Sequence, residues 1–166
     1  MKQKALALFA FVVLMSIVID LKMNAQQSGN GVIEIAGVTL RLGMTKATIS
    51  EKLASVPITK DREDFWIIGS KSSSQYLQFT NGRLTYVSRN WVTYDNDIVA
   101  ALHGAVSSLN REGYRSCNVE ADSKVDPDST LQRIWIRCGE KSILVSRASL
   151  NGKSYNTVDE ELGTIR

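Results

Sequence analysis

The sequence predicts an α+β protein: two helix-plus-antiparallel-sheet units, α-β-β-β then α-β-β-β-β, packed as one small domain. Three observations predict it. Two segments carry helix caps and a 3.6-residue apolar repeat, successive strand-like runs are joined by short turns, and such turns cannot make the crossovers that a parallel sheet requires. The composition agrees, since a chain of 166 residues that is 43% apolar and 22% charged with 2 prolines excludes disorder, collagen and low-complexity repeats.

The first residues read as a targeting segment. Met1-Lys2-Gln3-Lys4 is a basic start, and Ala5 to Ile19 is apolar apart from Ser16, a pattern expected of a signal peptide. Asp20 and Lys22 end the run well short of the roughly 20 residues a membrane span needs. Cleavage after Ala25 is expected, with retention as an anchor the alternative because Met23 occupies a position that favours a small side chain. No cysteine near the end of the run could accept a lipid. Residues 1–25 are thus signal peptide, 26–36 a polar leader and short strand, 37–94 the first unit and 95–166 the second. The mature chain should be exported, periplasmic or secreted, with no stable membrane span. The net charge of +3 includes +2 from Lys2, Lys4, Lys22 and Asp20; the remaining +1 is no footprint for nucleic acid.

Within the first unit, Val32 to Leu42 alternates weakly around Gly37 as one or two short strands. Thr45 is a good N-cap, Met44 and Ile49 form a hydrophobic staple, and Ile49, Leu53 and Val56 share one helix face until Pro57. Phe65 to Gly69 is a strand, followed by the Lys71-Ser72-Ser73-Ser74 loop. Asn81-Gly82 is the preferred pair for a two-residue hairpin turn between Gln75 to Thr80 and Arg83 to Trp91. An unbroken register from that turn sets Leu77 opposite Tyr86, and Tyr76, Gln78, Thr85, Val87, Arg89 and Trp91 on the other face.

The second unit opens with a helix over Asp95 to Glu112, striped by Ile98, Leu102, Ala105 and Leu109 and ended by Gly113 in the left-handed conformation. Four strands are expected after it: Tyr114 to Asp122, Leu131 to Cys138, Lys141 to Leu150 and Lys153 to Val158. Ser123 to Ser129, Gly139-Glu140 and Asn151-Gly152 connect them.

Cys117 and Cys138 fall on neighbouring strands. Pairing them sets Val119 opposite Ile136 and Ala121 opposite Ile134 as one apolar face, so a cross-strand disulfide is expected in an exported protein. A reactive thiol would need an activating histidine or a Cys-x-x-Cys arrangement, and neither is evident.

Motifs for catalysis are weak. His103 could serve as a general base, but no Gly-x-Ser-x-Gly elbow or cysteine nucleophile accompanies it, which favours a surface histidine. Asp122, Asp126 and Asp128 could hold calcium, yet their spacing is not that of an EF-hand and Pro127 interrupts it. Glu63 with Asp64, and Asp159 with Glu160 and Glu161, read as charged ends of elements. No metal and no cofactor are expected.

Gly43-Met44-Thr45-Lys46 with Ile49 and Leu53, Asp64-Phe65-Trp66, and Tyr76-Leu77-Gln78-Phe79-Thr80-Asn81-Gly82-Arg83-Leu84 resemble the SmpA/OmlA (BamE-like) family over residues 37–91. The duplicated architecture is also similar to β-lactamase inhibitory proteins. The first resemblance implies a small cell-envelope protein working in outer-membrane β-barrel assembly; the second implies an inhibitor of a secreted hydrolase.

The expected function is therefore non-catalytic binding of another protein, whose identity stays open, through the sheet surface. The alternatives are an exported enzyme using His103 or the Asp122/Asp126/Asp128 loop, or a hydrolase inhibitor. Counting from Gly139-Glu140 places Ile134, Ile136, Ile143 and Val145 toward the helices and Arg133, Trp135, Arg137 and Leu144 away. With Trp91, the expected binding surface is Trp91, Arg133, Trp135 and Arg137, since Trp and Arg most often anchor interfaces. The competing reading covers Trp135 with the rest of the protein and pairs the arginines with Glu120 and Asp122.

Overall fold

The computed structural model describes residues 31–69, 74–91 and 97–163; the signal peptide expected over residues 1–25 lies outside them. The fold is mostly β, and the expectation of two α+β units is corrected by a single eight-stranded antiparallel sheet.

A hairpin of β1 (Val32–Ile35) and β2 (Val38–Arg41) comes first. It turns at Ala36-Gly37, both at positive φ. Helix α1 (Lys46–Lys52) follows, capped by the Thr45 hydroxyl, which accepts from the Thr48 amide at 3.2 Å. Strands β3 (Ile58–Arg62), β4 (Phe65–Ile68), β5 (Gln75–Thr80) and β6 (Arg83–Asn90) form a meander. Helix α2 (Ile98–Arg111) is capped by Asp97 and followed by Gly113 at φ 87°. Then come β7 (Asn118–Asp126), β8 (Ser129–Cys138), β9 (Lys141–Leu150) and β10 (Lys153–Gly163).

The last strand decides the architecture. The sheet order is β3-β4-β5-β6-β10-β9-β8-β7, because β10 runs to Gly163 rather than Val158. Its added residues pair with β6 from Asp159↔Asn90 to Gly163↔Tyr86. Gly163 is suited to this junction, since a Cβ there would lie 2.2 Å from the Thr85 carbonyl oxygen. Two expected sheets thereby become one continuous ladder. Strand β7 also extends through Ser123 to Asp126, so most of the expected loop is a regular hairpin.

One face of this sheet is covered. Ile33, Ile35 and Leu40 of the first hairpin and Ile49 and Leu53 around α1 pack on Trp66, Ile68, Leu77, Phe79, Leu84, Val87 and Leu162. Ala101, Ala105 and Leu109 of α2 pack with Tyr114 on Cys138, Ile143 and Val158. Burial of these side chains, each worth roughly 1.5–3 kcal/mol when large, drives the assembly.

A bulge sets which side chains reach that face. Phe79 pairs with Leu84 and Gln78 with Tyr86, leaving Thr85 as an extra residue whose hydroxyl donates to the Gln78 carbonyl at 3.2 Å. Beyond Thr85 every side chain of β6 therefore changes sides relative to an unbroken register. Leu77 faces Val87, and Val87, Arg89 and Trp91 lie on the covered side. The outward position expected for Arg89 and Trp91 is corrected.

Cys117 and Cys138 form a disulfide, in the register expected from Val119↔Ile136 and Ala121↔Ile134. The bond ties the segment leading from α2 to a fully buried position of β8. With a sequence separation of 21, replacing both cysteines by Ala should lower unfolding free energy by about 2–5 kcal/mol. Chemical denaturation checks this, with an unchanged transition midpoint as the contrary result.

Candidate functional site

The alternate side chains of the sheet form a second face, away from both helices. Arg133, Trp135 and Arg137 alternate along β8 and all point to it. Arg133 donates to Asp122 through Nε at 2.9 Å and Nη2 at 2.6 Å, and Arg137 Nε donates to Glu120 Oε2 at 2.9 Å. Their guanidinium carbons lie 4.8 and 5.2 Å from the centre of the Trp135 ring. The indole thus sits between two cations, each fixed by a cross-strand carboxylate, an arrangement that pre-orients planar, stacking groups. The paired carboxylate also raises the pKa of Arg133.

Toward the middle of the face lie hydroxyls and carboxylates. Glu161 accepts from Tyr86 Oη at 2.9 Å and Ser142 Oγ at 3.0 Å, while Asp159 accepts from Asn90 Nδ2 at 2.8 Å and Thr157 Oγ1 at 2.9 Å. Burial first, and then the Glu161 charge, push the Tyr86 phenol well above its ordinary pKa, so it remains a donor. At the far end Phe65 and Tyr76 stack with centroids 5.7 Å apart. A groove of about 760 Å³ adjoins Arg137 and Ser142, between the Asn81-Gly82 and Gly139-Glu140 turns. Together these groups offer stacking surfaces and fixed hydrogen-bonding groups, which is the chemistry of recognition.

Behind this face, between the two apolar clusters, lies a buried charge network. Alternation along β10 places Val158 in one cluster, Leu162 in the other and Glu160 between them. The side chains of Glu160 and Lys141 are both fully buried, with Oε1 2.5 Å from Nζ. Lys141 also donates to Glu112 at 2.6 and 2.7 Å and to the Val32 carbonyl at 2.9 Å. Glu160 Oε2 accepts from Arg89 and, at 2.9 Å, from Trp91 Nε1. Burial pushes the Glu160 carboxyl pKa up, but Lys141 and Arg89 outweigh it and hold the group below the ordinary carboxylate range.

The expected site residues therefore separate. Arg133, Trp135 and Arg137 share the open face, while Trp91 lies on the other side, its ring under Arg89 at 4.4 Å and against Gly104 of α2. A Cβ at Gly104 would approach the ring to 2.9 Å, which explains a glycine in mid-helix despite its low helix propensity. His103 is exposed on α2. Asp122 pairs with Arg133, and Asp126 lies 3.1 Å from Lys124. Among the described residues no group of three or more His, Cys, Asp or Glu is placed to hold a metal ion. Glu160 and Glu161 lie within a strand rather than at a charged end, and their opposite roles were signalled only by their adjacency in an alternating pattern.

Comparisons with protein-family models, curated proteins and solved structures gave no match.

Glu160→Gln should destabilise the fold by about 3–5 kcal/mol, because Arg89 and Lys141 then share a buried site with too little negative charge. The depressed carboxyl pKa also gives a sign. Its stabilisation is present above the unfolded value of about 4.3 and is lost as pH falls through the lower folded value. Acid titration of unfolding free energy should show a shallower decline for Glu160→Gln; parallel curves would contradict this assignment.

Proposed function

We propose that this chain is an exported, non-catalytic cell-envelope protein, periplasmic or secreted, that binds another protein through the open face of its sheet. The observation that carries the reading is the Arg133–Trp135–Arg137 ladder. One face of the sheet is occupied by both helices and the first hairpin, whereas this one presents a half-buried indole between two oriented guanidiniums. Trp and Arg dominate the few residues that carry interface energy, and pre-orientation reduces the ordering entropy lost on binding. The disulfide suits an oxidising compartment, and among the described residues no helix is long and apolar enough to cross a membrane. The SmpA/OmlA-like stretch over residues 37–91 points toward the same kind of envelope role.

A photo-reactive side chain in place of Leu144, which pairs with Trp135 across the strands, should capture the partner in intact envelopes. The same group in place of Val99 on α2 should not. Binding of that partner should weaken by at least about 2 kcal/mol in the Trp135→Ala/Arg137→Ala variant, with the melting temperature nearly unchanged. Normal affinity in that variant, or loss of its fold, would overturn the site assignment.

A further inference from the structure

The two edges of the sheet are built differently. Strand β3, at one edge, has five residues, is irregular between Lys60 and Arg62, and exposes Lys60, Asp61 and Arg62. Short length, irregularity and charge are the usual means of blocking edge-to-edge pairing. Strand β7, at the other edge, has nine residues, all exposed, and pairs with β8 without a register shift from Asn118↔Arg137 to Asp126↔Ser129. Its outward backbone N–H and C=O groups form an unbroken template. On the helix side of the sheet it presents Val119 and Val125, which are 68% and 74% exposed.

We infer that β7 pairs antiparallel with β7 of a second copy of this chain, about a two-fold axis at Asp122. The side chains are self-complementary in that register. Each residue meets the one equally distant on the other side of Asp122, so Glu120 faces the second copy's Lys124, and Lys124 faces its Glu120. Val119 and Val125 likewise meet twice, on the opposite side of the sheet. Asn118 meets Asp126. The two Asp122 carboxylates meet at the axis, each already held bidentately by its own Arg133.

Neighbouring registers fail on charge. An axis at Ser123 opposes Asp122 to Lys124 twice but also Glu120 to Asp126 twice, so unlike and like pairs cancel; an axis at Ala121 sets Glu120 against Asp122, and an axis at Lys124 sets the two lysines against each other. Directly opposed charges of unlike sign stabilise a strand pair and like charges destabilise it. The axis at Asp122 alone opposes Glu120 to Lys124 twice. Lys124, which would guard an isolated edge, becomes a pairing residue. This joint lies at the end of the sheet and leaves the open face uncovered.

Sedimentation of the purified, disulfide-bonded chain tests the pairing with two variants, Glu120→Lys and Lys124→Glu. The parent chain should be a dimer. Each variant alone opposes like charges twice and should raise the dimer dissociation constant about tenfold or more. An equimolar mixture should form a heterodimer with an affinity within a few-fold of the parent, because both unlike pairs are restored. Glu120 also binds Arg137 within its own chain, but that loss persists in the mixture and cannot produce the recovery. A parent chain that stays monomeric throughout a concentration series would overturn the inference. So would a dimer indifferent to either variant, a mixture without recovery, or an edge occupied only by the strand of a different protein.

Discussion

The fully buried Glu160 carboxylate is the constraint on which the rest of the structure depends. It lies on the strand that joins the two halves of the sheet, between an apolar cluster ending at Leu162 and another containing Val158. A lone charge there would be prohibitively costly to desolvate. Lys141 from β9, Arg89 from β6 and the Trp91 indole converge on it, and through them Glu112 at the end of α2 and the Val32 and Glu34 carbonyls of β1 are fixed in place. Strand β1 and helix α2 of the covered face are thus tethered to the sheet by polar contacts whose geometry admits few alternatives, while α1 is held separately, through Lys46 to Asp64. Desolvation offsets much of the attraction in such a network, so its net contribution to stability is small beside the cost of removing one partner and leaving the others buried.

That internal demand shapes the external surface. To reach Glu160, Arg89 and Trp91 must point toward the helices, and the extra residue at Thr85 is what allows it while Leu84 and Phe79 remain in the first apolar cluster. The same parity change sends Tyr86 and Ser88 to the open face, where Tyr86 meets Glu161. Two tryptophans flanked by arginines thereby acquire different roles. Trp91 is bound to Glu160 and seated against Gly104, whereas Trp135, stacked by Arg133 and Arg137, faces away from both helices.

Local signals in the sequence located most elements. Thr45, Asn81-Gly82, Gly113 and Asn151-Gly152 mark their turns and caps by residue type alone, and the two cysteines with their apolar neighbours set the β7–β8 register. Strand β3 was hidden by its charged Thr59-Lys60-Asp61-Arg62 run, which resembles a loop because an edge strand buries little. The bulge was hidden because Thr85 suits a regular strand as well as a bulged one, and one unpaired residue reverses every side chain beyond it. The fold class failed for a related reason. Pairing of β6 with β10 joins residues about seventy positions apart, and the acidic run Asp159-Glu160-Glu161 has the composition of a solvated end, its partners Lys141 and Arg89 lying on other strands. For the open face, Arg133, Trp135, Arg137 and Tyr76 are legible from period-two alternation; Tyr86 is not, since its side depends on the bulge.

The division of the two tryptophans between binding and packing can be measured directly by oxidative footprinting of the protein, free and bound to its captured partner. Trp135 and Tyr76 should be modified in the free protein and protected in the complex, while Trp91 should react slowly and equally in both. Protection of Trp91 or of the α2 surface around Val99 on binding, with Trp135 unchanged, would contradict this division.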